Sequence, residues 1–245
     1  VSFHPHYVNI KDAAQAHGVA VVIDVLRAFT TAAWAFALGA ERIILSDETD
    51  QALAVKARIP GALALKDATP LPGFELSNSP VELLGRDLSG VTIVQRTTAG
   101  TVGAVAARSA DRLYCASFVN ASATADAILN AGTGEAYFVV TGEGGAADED
   151  QACAEYIAAL VAHTSCGPTH PAEAGVDPAP FLERVAASNA ARLMAQRVAE
   201  GTPGVHPRDV EAAMEADRFN FVMRAREERL PGIGSLLVLR RHDRA

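Results

Sequence analysis

Short unbroken apolar runs alternate along this chain with stretches whose apolar positions recur every three or four residues, a pattern that predicts repeated strand and helix units. Val19, Ala20, Val21, Val22 and Ile23 form the first run, of the β-branched kind that fills a strand buried on both faces, and it stops on Asp24. Beyond Asp24 the spacing turns helical: Arg27, then Thr30 and Thr31 as caps, then Trp34, Phe36, Ala37 and Leu38, with Gly39 as the stop. The pattern predicts strands over 19–23, 42–45, 62–65, 91–94, 112–116 and 136–140, and helices over 31–38, 49–59, 99–108, 121–130 and 149–162. Short connections between them predict an α/β fold, layered α/β/α, with a largely parallel or mixed sheet.

The last third differs. Residues 164–180 are rich in Pro and Gly and form the one linker candidate. Residues 181–200 and 207–229 read as two charged amphipathic helices parted by Gly201, Pro203 and Gly204, before a final apolar run over 236–239. These helices are expected to cover the sheet. Residues 1–245 then form one domain, in which 165–245 is at most a mostly helical sub-lobe.

Polar residues gather where predicted strands end, which is where open α/β sheets bind ligands. Asp24, Arg27 and the two threonines line one such turn, although a local Asp24–Arg27 salt bridge would account for the first two. Glu75 and Asn78 precede Ser79 and Pro80, which plain helix capping explains; capping requires neither Glu75 nor Asn78. Arg96, Thr97 and Thr98 open a helix after a strand, a setting in which amides, hydroxyls and a guanidinium grip an anion. Ser117 and Asn120 stand at another strand end, where an N-cap is the ordinary role for Asn120. A turn over 141–145 leads to Asp148, Glu149 and Asp150. A solvated acidic first turn is the default for these three acids, and a hard cation with oxygen ligands is the usual remedy for their repulsion. Together the turns describe a rim with Asp24, Glu75, Glu149 and Asp150 for a divalent ion, and Arg27 and Arg96 for an anion. That combination suits a phosphorylated substrate held through Mg²⁺.

Composition narrows the setting. With 21 basic against 29 acidic residues the net charge is −8, and no Lys/Arg cluster offers to neutralise a phosphate backbone, so no nucleic-acid partner is expected. Cys115, Cys153 and Cys166 lie far apart, which suggests neither a zinc site nor a disulfide framework and fits a reducing cytoplasm. Residues 19–40 are long enough to span a bilayer, but Asp24 and Arg27 inside them argue against a membrane protein. The opening ten residues do not read as a signal peptide. Apolar positions on the two C-terminal helices leave room for a homo-oligomer.

Several phosphatase and nucleotide signatures are absent. The Asp-x-Asp of haloacid-dehalogenase-type enzymes fails at Leu26, and no cysteine has Arg six positions on. Neither Gly-x-x-x-x-Gly-Lys-Ser/Thr nor Gly-x-Gly-x-x-Gly occurs. Five spaced blocks instead carry a resemblance: VIDVLRAFTT (22–31), GFELSNSP (73–80), TTAGT (97–101), Ser117 with Asn120 three on, and EDQACAE (149–155). In this order they resemble the 2-phosphosulfolactate phosphatase family, the ComB-like proteins, over roughly residues 19–160. The resemblance implies that family's own α/β fold, Mg²⁺-dependent phosphomonoester hydrolysis and a small substrate with phosphate and sulfonate groups. It carries a site onto Asp24, Arg27, Asn78, Arg96, Thr97, Thr98, Ser117, Glu149 and Asp150. Glu75 stands where the family has Asp, Ser77 where it has Gly, Ala99 where it has Asn and Glu155 where it has Gly, departures that bear on the substrate more than on the reaction.

The expectation is therefore a cytoplasmic Mg²⁺-dependent phosphatase acting on 2-phospho-3-sulfolactate, to give 3-sulfolactate and phosphate. Asp24, Glu149 and Asp150, with Glu75 contributing, hold the ion. Arg27, Arg96, Thr97 and Thr98 bind phosphoryl oxygens, while Asn78, Ser117 and Asn120 orient the substrate. Direct attack by water and transfer through Asp24 both fit these residue types. The alternatives are a phosphatase for another small phosphomonoester and a non-catalytic anion-binding domain.

Overall fold

The strands expected between residues 19 and 140 all form, with ends moved by at most two residues. The computed structural model describes residues 3–67, 71–142, 147–165 and 175–243. Its strands are β1 (His4–Asn9), β2 (Val19–Ile23), β3 (Arg42–Ser46), β4 (Leu63–Lys66), β5 (Leu76–Ser77), β6 (Thr92–Arg96), β7 (Arg112–Ala116), β8 (Glu135–Val140), β9 (Phe221–Leu230) and β10 (Gly234–Asp243). Its helices are α1 (Ala28–Ala37), α2 (Thr49–Lys56), α3 (Pro80–Leu83), α4 (Gly100–Ala106), α5 (Ala121–Ala131), α6 (Asp148–Ser165), α7 (Ala179–Ala187), α8 (Asn189–Ala199) and α9 (Asp209–Ala213). Among the described residues no helix is long and apolar enough to cross a membrane.

The ten strands make one sheet in the order β1-β8-β2-β7-β9-β10-β3-β6-β4-β5. β2 lies parallel to β7 and β8, and β6 parallel to β3 and β4. Between these two parallel blocks sits the antiparallel hairpin β9–β10, antiparallel also to β7 and β3. This corrects the expectation of a helix over 207–229 and of a mostly helical 165–245: the segment supplies two central strands. Phe221, Met223 and Ala225 are buried while Val222 and Arg224 are less so, a period of two. The run of Arg and Glu that imitates a helix face instead pairs along the hairpin, with Glu228 accepting from Arg226 (3.1 Å) and Arg240 (2.8 Å). The single long helix expected over 181–200 is two helices, broken where Ser188 caps α8 by accepting from Ala191 N–H.

Because β7, β9, β10 and β3 are successively antiparallel, the two parallel blocks run in opposite senses. Five steps separate β2 from β6, and a twist of roughly 20–25° per step turns the second block through more than a right angle. Side chains from both blocks consequently meet in one core: Val22, Cys115, Met223, Leu237, Ile43 and Ile93 enclose Phe29 and Phe36 of α1 and Ala104 of α4. The opposite face is covered in two places. Val21, Ile23 and Phe138 pack on Ile128 of α5 and Ile157 of α6, while Ile44, Val94 and Val238 pack on Ala52 and Val55 of α2. The result is the layered α/β/α arrangement, with the ends of β2 and β6 brought together: Gln95 Nε2 donates to Ala28 O at 2.9 Å.

A central hairpin carries a stability signature. Leu239 in β10 is fully buried, whereas Leu193 on α8 is 40% exposed. Leu239→Ala is expected to cost about 2–5 kcal/mol, and Leu193→Ala to stay within about 0.5 kcal/mol, in urea denaturation. Equal effects of the two would contradict the placement of residues 221–243 inside the sheet.

Candidate active site

The site is built around Asp24, which leaves β2 at its carboxyl end and is 6% exposed. Its Oδ1 accepts from the N–H of Ala28, the first residue of α1, at 2.9 Å. Thr30 and Thr31 do not cap this helix as expected; both are buried inside it, and the Thr30 hydroxyl donates to Val25 O at 2.8 Å. Gly100 N–H also donates to Asp24. A Cβ on Gly100 would lie 2.6 Å from Asp24 Oδ2 and 2.7 Å from Ala28 Cβ, and one on Gly103 would lie 2.9 Å from Thr141 Cγ2. Two glycines thus let α4 press onto the end of β2. Burial raises the Asp24 carboxyl to about 6, against the Ala28 N–H, with the charges of Asp67 and Glu149 adding to the rise.

Asp150, in the first turn of α6, meets the same strand end. Its Oδ1 accepts from Val25 N–H at 2.7 Å, and Thr141 Oγ1 lies 3.1 Å from its Oδ2 and 2.8 Å from Ile23 O. Burial, then the charges of Asp24 and Glu149, push its carboxyl well above the usual carboxylate range. Glu149 is raised by burial too, partly offset by a hydrogen bond from Ser188. Asp148 points elsewhere and pairs with Arg184. Of the turn expected over 141–145, residues 143–145 lie outside the described residues, as do 166–174 of the linker candidate.

Arg27 and Asp24 do not form the local salt bridge considered above. Arg27 is 7% exposed and its Nη1 donates to Gly204 O at 2.9 Å and to Asp209 Oδ2 at 2.5 Å. The Leu26–Arg27 peptide is cis. Arg96 ends β6 and lies 3.7 Å from Asp67 Oδ1, and its buried Nε has no partner among the described residues. Thr98 gives both its N–H and its hydroxyl to Asp67 Oδ2, each at 2.7 Å. Thr97 is buried, its Oγ1 accepting from Thr101 N–H in the first turn of α4 at 3.0 Å. Asp67 therefore holds Arg96 and Thr98 together, and its charge is felt at Asp24. The logic that singles out Asp24, an acid just past a strand's carboxyl end, would have found it.

Glu75 is not gathered into this group. Its carboxylate accepts from Ala64 N–H at 3.0 Å and pairs with Lys56, on the flank of β4, and these bonds lower its pKa against a small burial penalty. Asn78, Ser117 and Asn120 are all buried, and Asn78 Oδ1, Ser117 Oγ and Asn120 Nδ2 have no hydrogen-bond partner among the described residues. Asn120 Oδ1 accepts from Ser117 N–H at 3.1 Å, so the Asn120 side chain fixes the strand end instead of capping α5. Ser79 behaves as a cap should, accepting from Glu82 N–H at 3.3 Å.

As a cation site, Asp24, Asp150, Glu149 and Asp67 offer hard oxygen donors whose mutual repulsion a divalent ion would relieve. Among the described residues no three acid, His or Cys side chains close into a metal cage. Mg²⁺ does not need one, since it is commonly held by one or two carboxylates, waters and a substrate phosphate. The donor set fits such an ion.

Comparison with known proteins shows the family. A family model described as 2-phosphosulpholactate phosphatase matches residues 6–228. The chain is 33% identical over 147 residues to a "Probable 2-phosphosulfolactate phosphatase" of Bacillus subtilis, covering 59% of this chain and 64% of that protein. Proteins of the same name from Deinococcus radiodurans (39% over 150 residues, 58% and 62% covered) and Carboxydothermus hydrogenoformans (42% over 132 residues, 53% and 52% covered) are also similar. The matched segments thus span about half to two thirds of these relatives. With the family match running across nearly the whole chain, this protein belongs to the 2-phosphosulfolactate phosphatase family.

Proposed function

We propose that this chain is a Mg²⁺-dependent phosphatase that hydrolyses a small phosphorylated acid, 2-phospho-3-sulfolactate, to 3-sulfolactate and phosphate. The observation that carries this reading is that Asp24, Glu149 and Asp150 are all buried, Asp24 and Asp150 bonding the turn that follows β2, with Arg27 in the same turn and Arg96 at the end of β6, which Gln95 ties to α1. Buried carboxylates that raise one another cost stability, and a site that binds a cation turns that cost into affinity. Asp24, Glu149 and Asp150 would hold Mg²⁺, with Asp67 close by; Glu75 is left out of the set. Bound there, the ion would neutralise phosphoryl charge and polarise the phosphoryl oxygen.

The chain's own groups do the rest. Phosphoryl transfer asks a protein mainly for positioning and charge stabilisation. Arg27 and Arg96 would fork onto phosphoryl oxygens, Arg96 and Thr98 exchanging Asp67 for the substrate. Ser117 Oγ and Asn120 Nδ2 would donate to oxygens of the rest of the acid, which would satisfy buried groups that otherwise lack partners, and Asn78 would help to orient the same part of the substrate. Ala99, at the N-cap of α4, presents a methyl where the resemblance leads one to expect an amide, and this favours testing other small phosphorylated acids as well. Cys115 and Cys153 are free and buried, in keeping with a reducing cytoplasm.

Phosphate release from 2-phosphosulfolactate is expected to need Mg²⁺, to stop with EDTA, and to fall by about 10²-fold or more in Asp24→Asn. Turnover that ignores EDTA would remove the ion from the reading, and undiminished turnover by the variant would remove Asp24.

Stability of the metal-free protein supplies a separate check. The unfolded chain ionises Asp24 near its ordinary value of 3.8, the folded chain only near 6. Between those values the folded state binds more protons, so raising the pH destabilises it, by about 3 kcal/mol in all from this group. In EDTA, Asp24→Asn should therefore melt above the wild type at pH 8 and together with it at pH 4. Added Mg²⁺ should raise the melting temperature of the wild type at pH 8 but not that of the variant. A wild-type melting temperature that climbs from pH 4 to 7 relative to the variant has the opposite sign and would sink this account.

A further inference from the structure

Asp209 opens α9 and is completely buried, in a part of the chain where the sequence signals no site. Its carboxylate collects four donors from three separate segments. Oδ2 takes Arg27 Nη1 at 2.5 Å and His206 N–H at 2.9 Å; Oδ1 takes the Ser79 hydroxyl at 2.6 Å and Val81 N–H at 3.4 Å. Gly204 O, five residues earlier, takes the second bond of Arg27 Nη1. The guanidinium is thus anchored through one terminal nitrogen, and among the described residues its Nε and Nη2 make no hydrogen bond. Ser79, held by the other carboxylate oxygen, immediately follows Asn78, whose Oδ1 lacks a partner.

A fully buried carboxylate is more than a first-turn acid requires, because a helix start is served equally well by an acid facing water. What the burial achieves is to fix two site residues from different segments on one group. We propose that Asp209 is a positioning residue for the phosphatase reaction: it holds Arg27 by Nη1 so that Nε and Nη2 form a fork for phosphoryl oxygens, and through Ser79 it keeps Asn78 in register with that fork. This rests on the reading that Arg27 meets the phosphoryl group. A planar guanidinium bound at one corner keeps its remaining donors at a set angle, and misplacing such a clamp by an ångström weakens it far more in the transition state than in substrate binding.

The test compares wild type, Arg27→Ala, Asp209→Asn and the double variant on 2-phosphosulfolactate with saturating Mg²⁺, each with its melting temperature. Asp209→Asn is expected to lower kcat by about 10²-fold while KM moves by less than about threefold, and to cost little more in the Arg27→Ala background. A folded Asp209→Asn with wild-type kcat overturns the proposal, and so does a double variant whose loss is the product of the two single losses. Should Asp209→Asn fail to fold, Ser79→Ala removes one donor only and is expected to lower kcat by about two- to tenfold; unchanged kcat there overturns the proposal. Titration with inorganic phosphate by calorimetry makes the test independent of which organic phosphate is turned over, with Arg27→Ala and Asp209→Asn weakening phosphate by similar factors. If Arg27→Ala instead binds phosphate and turns over as the wild type does, the reading of Arg27 fails, whereas a damaged Arg27→Ala beside an intact Asp209→Asn sinks only the role of Asp209.

Discussion

The close approach of α4 to the end of β2 is the constraint from which the site follows. Asp24 Oδ2 lies where a side chain on residue 100 would stand, so only glycine there lets the helix bring its amide to the carboxylate. The approach removes Asp24 from water on one side, as Asp150 and its hydrogen bond to Val25 N–H do near the same strand end. Each acid is then raised by its own burial first and by its neighbours second. The chemistry of the rim is a consequence of packing density, set by residues that have no reactive group of their own.

That approach depends in turn on the hairpin. β2 and β6 belong to blocks that run in opposite senses, and in a flat sheet their carboxyl ends would face away from each other. The antiparallel pair β9–β10 reverses the direction and adds strands over which twist accumulates, so the second block folds back across α1 and α4. Residues from both blocks then share one core, and Gln95 at the end of β6 bonds to the first turn of α1. A simple crevice at the edge of a parallel sheet is a good approximation at β2, β7 and β8 and a poor one across the whole rim.

Much of this was legible in the sequence, and the parts that were not share a cause. Val19–Ile23 is an unbroken apolar run buried on both faces, Arg112–Ala116 is buried throughout after its first residue, and the limits of both are legible in the sequence. Phe221–Leu230 is not such a run: its interior face carries only Phe221, Met223 and Ala225, and its outer positions are charged at intervals that also suit a helix. The pairing of Glu228 with Arg240 decides between the two, and that partner is twelve residues away. His4–Asn9 likewise becomes a strand only because β8 is there to pair with it. Among the candidate site residues, residue type and position at a strand end singled out Glu75 and Thr97, but which partner a side chain turns to is set by the fold: here they meet Lys56 and Thr101. Asp67 obeyed the rule that found Asp24.

Asp209 obeyed no local rule, and the reason separates two kinds of residue in such a site. A group that meets a phosphate must be a hydrogen-bond donor such as a guanidinium, an ammonium, an amide or a hydroxyl, and its identity is visible wherever it sits. A group that holds it in place needs only reach, and reach is a property of the folded chain. Here the C-terminal third supplies it repeatedly: Ser188 bonds Glu149, Arg184 ties Asp148 and Glu155, Gly204 and Asp209 grip Arg27. The family match runs to residue 228, well beyond the last recognisable block, and so takes in these supports. The segment that closes the sheet with β9–β10 is therefore also the one that stiffens the rim, and a change that loosens its packing should reach the site through Arg27 and Glu149 together.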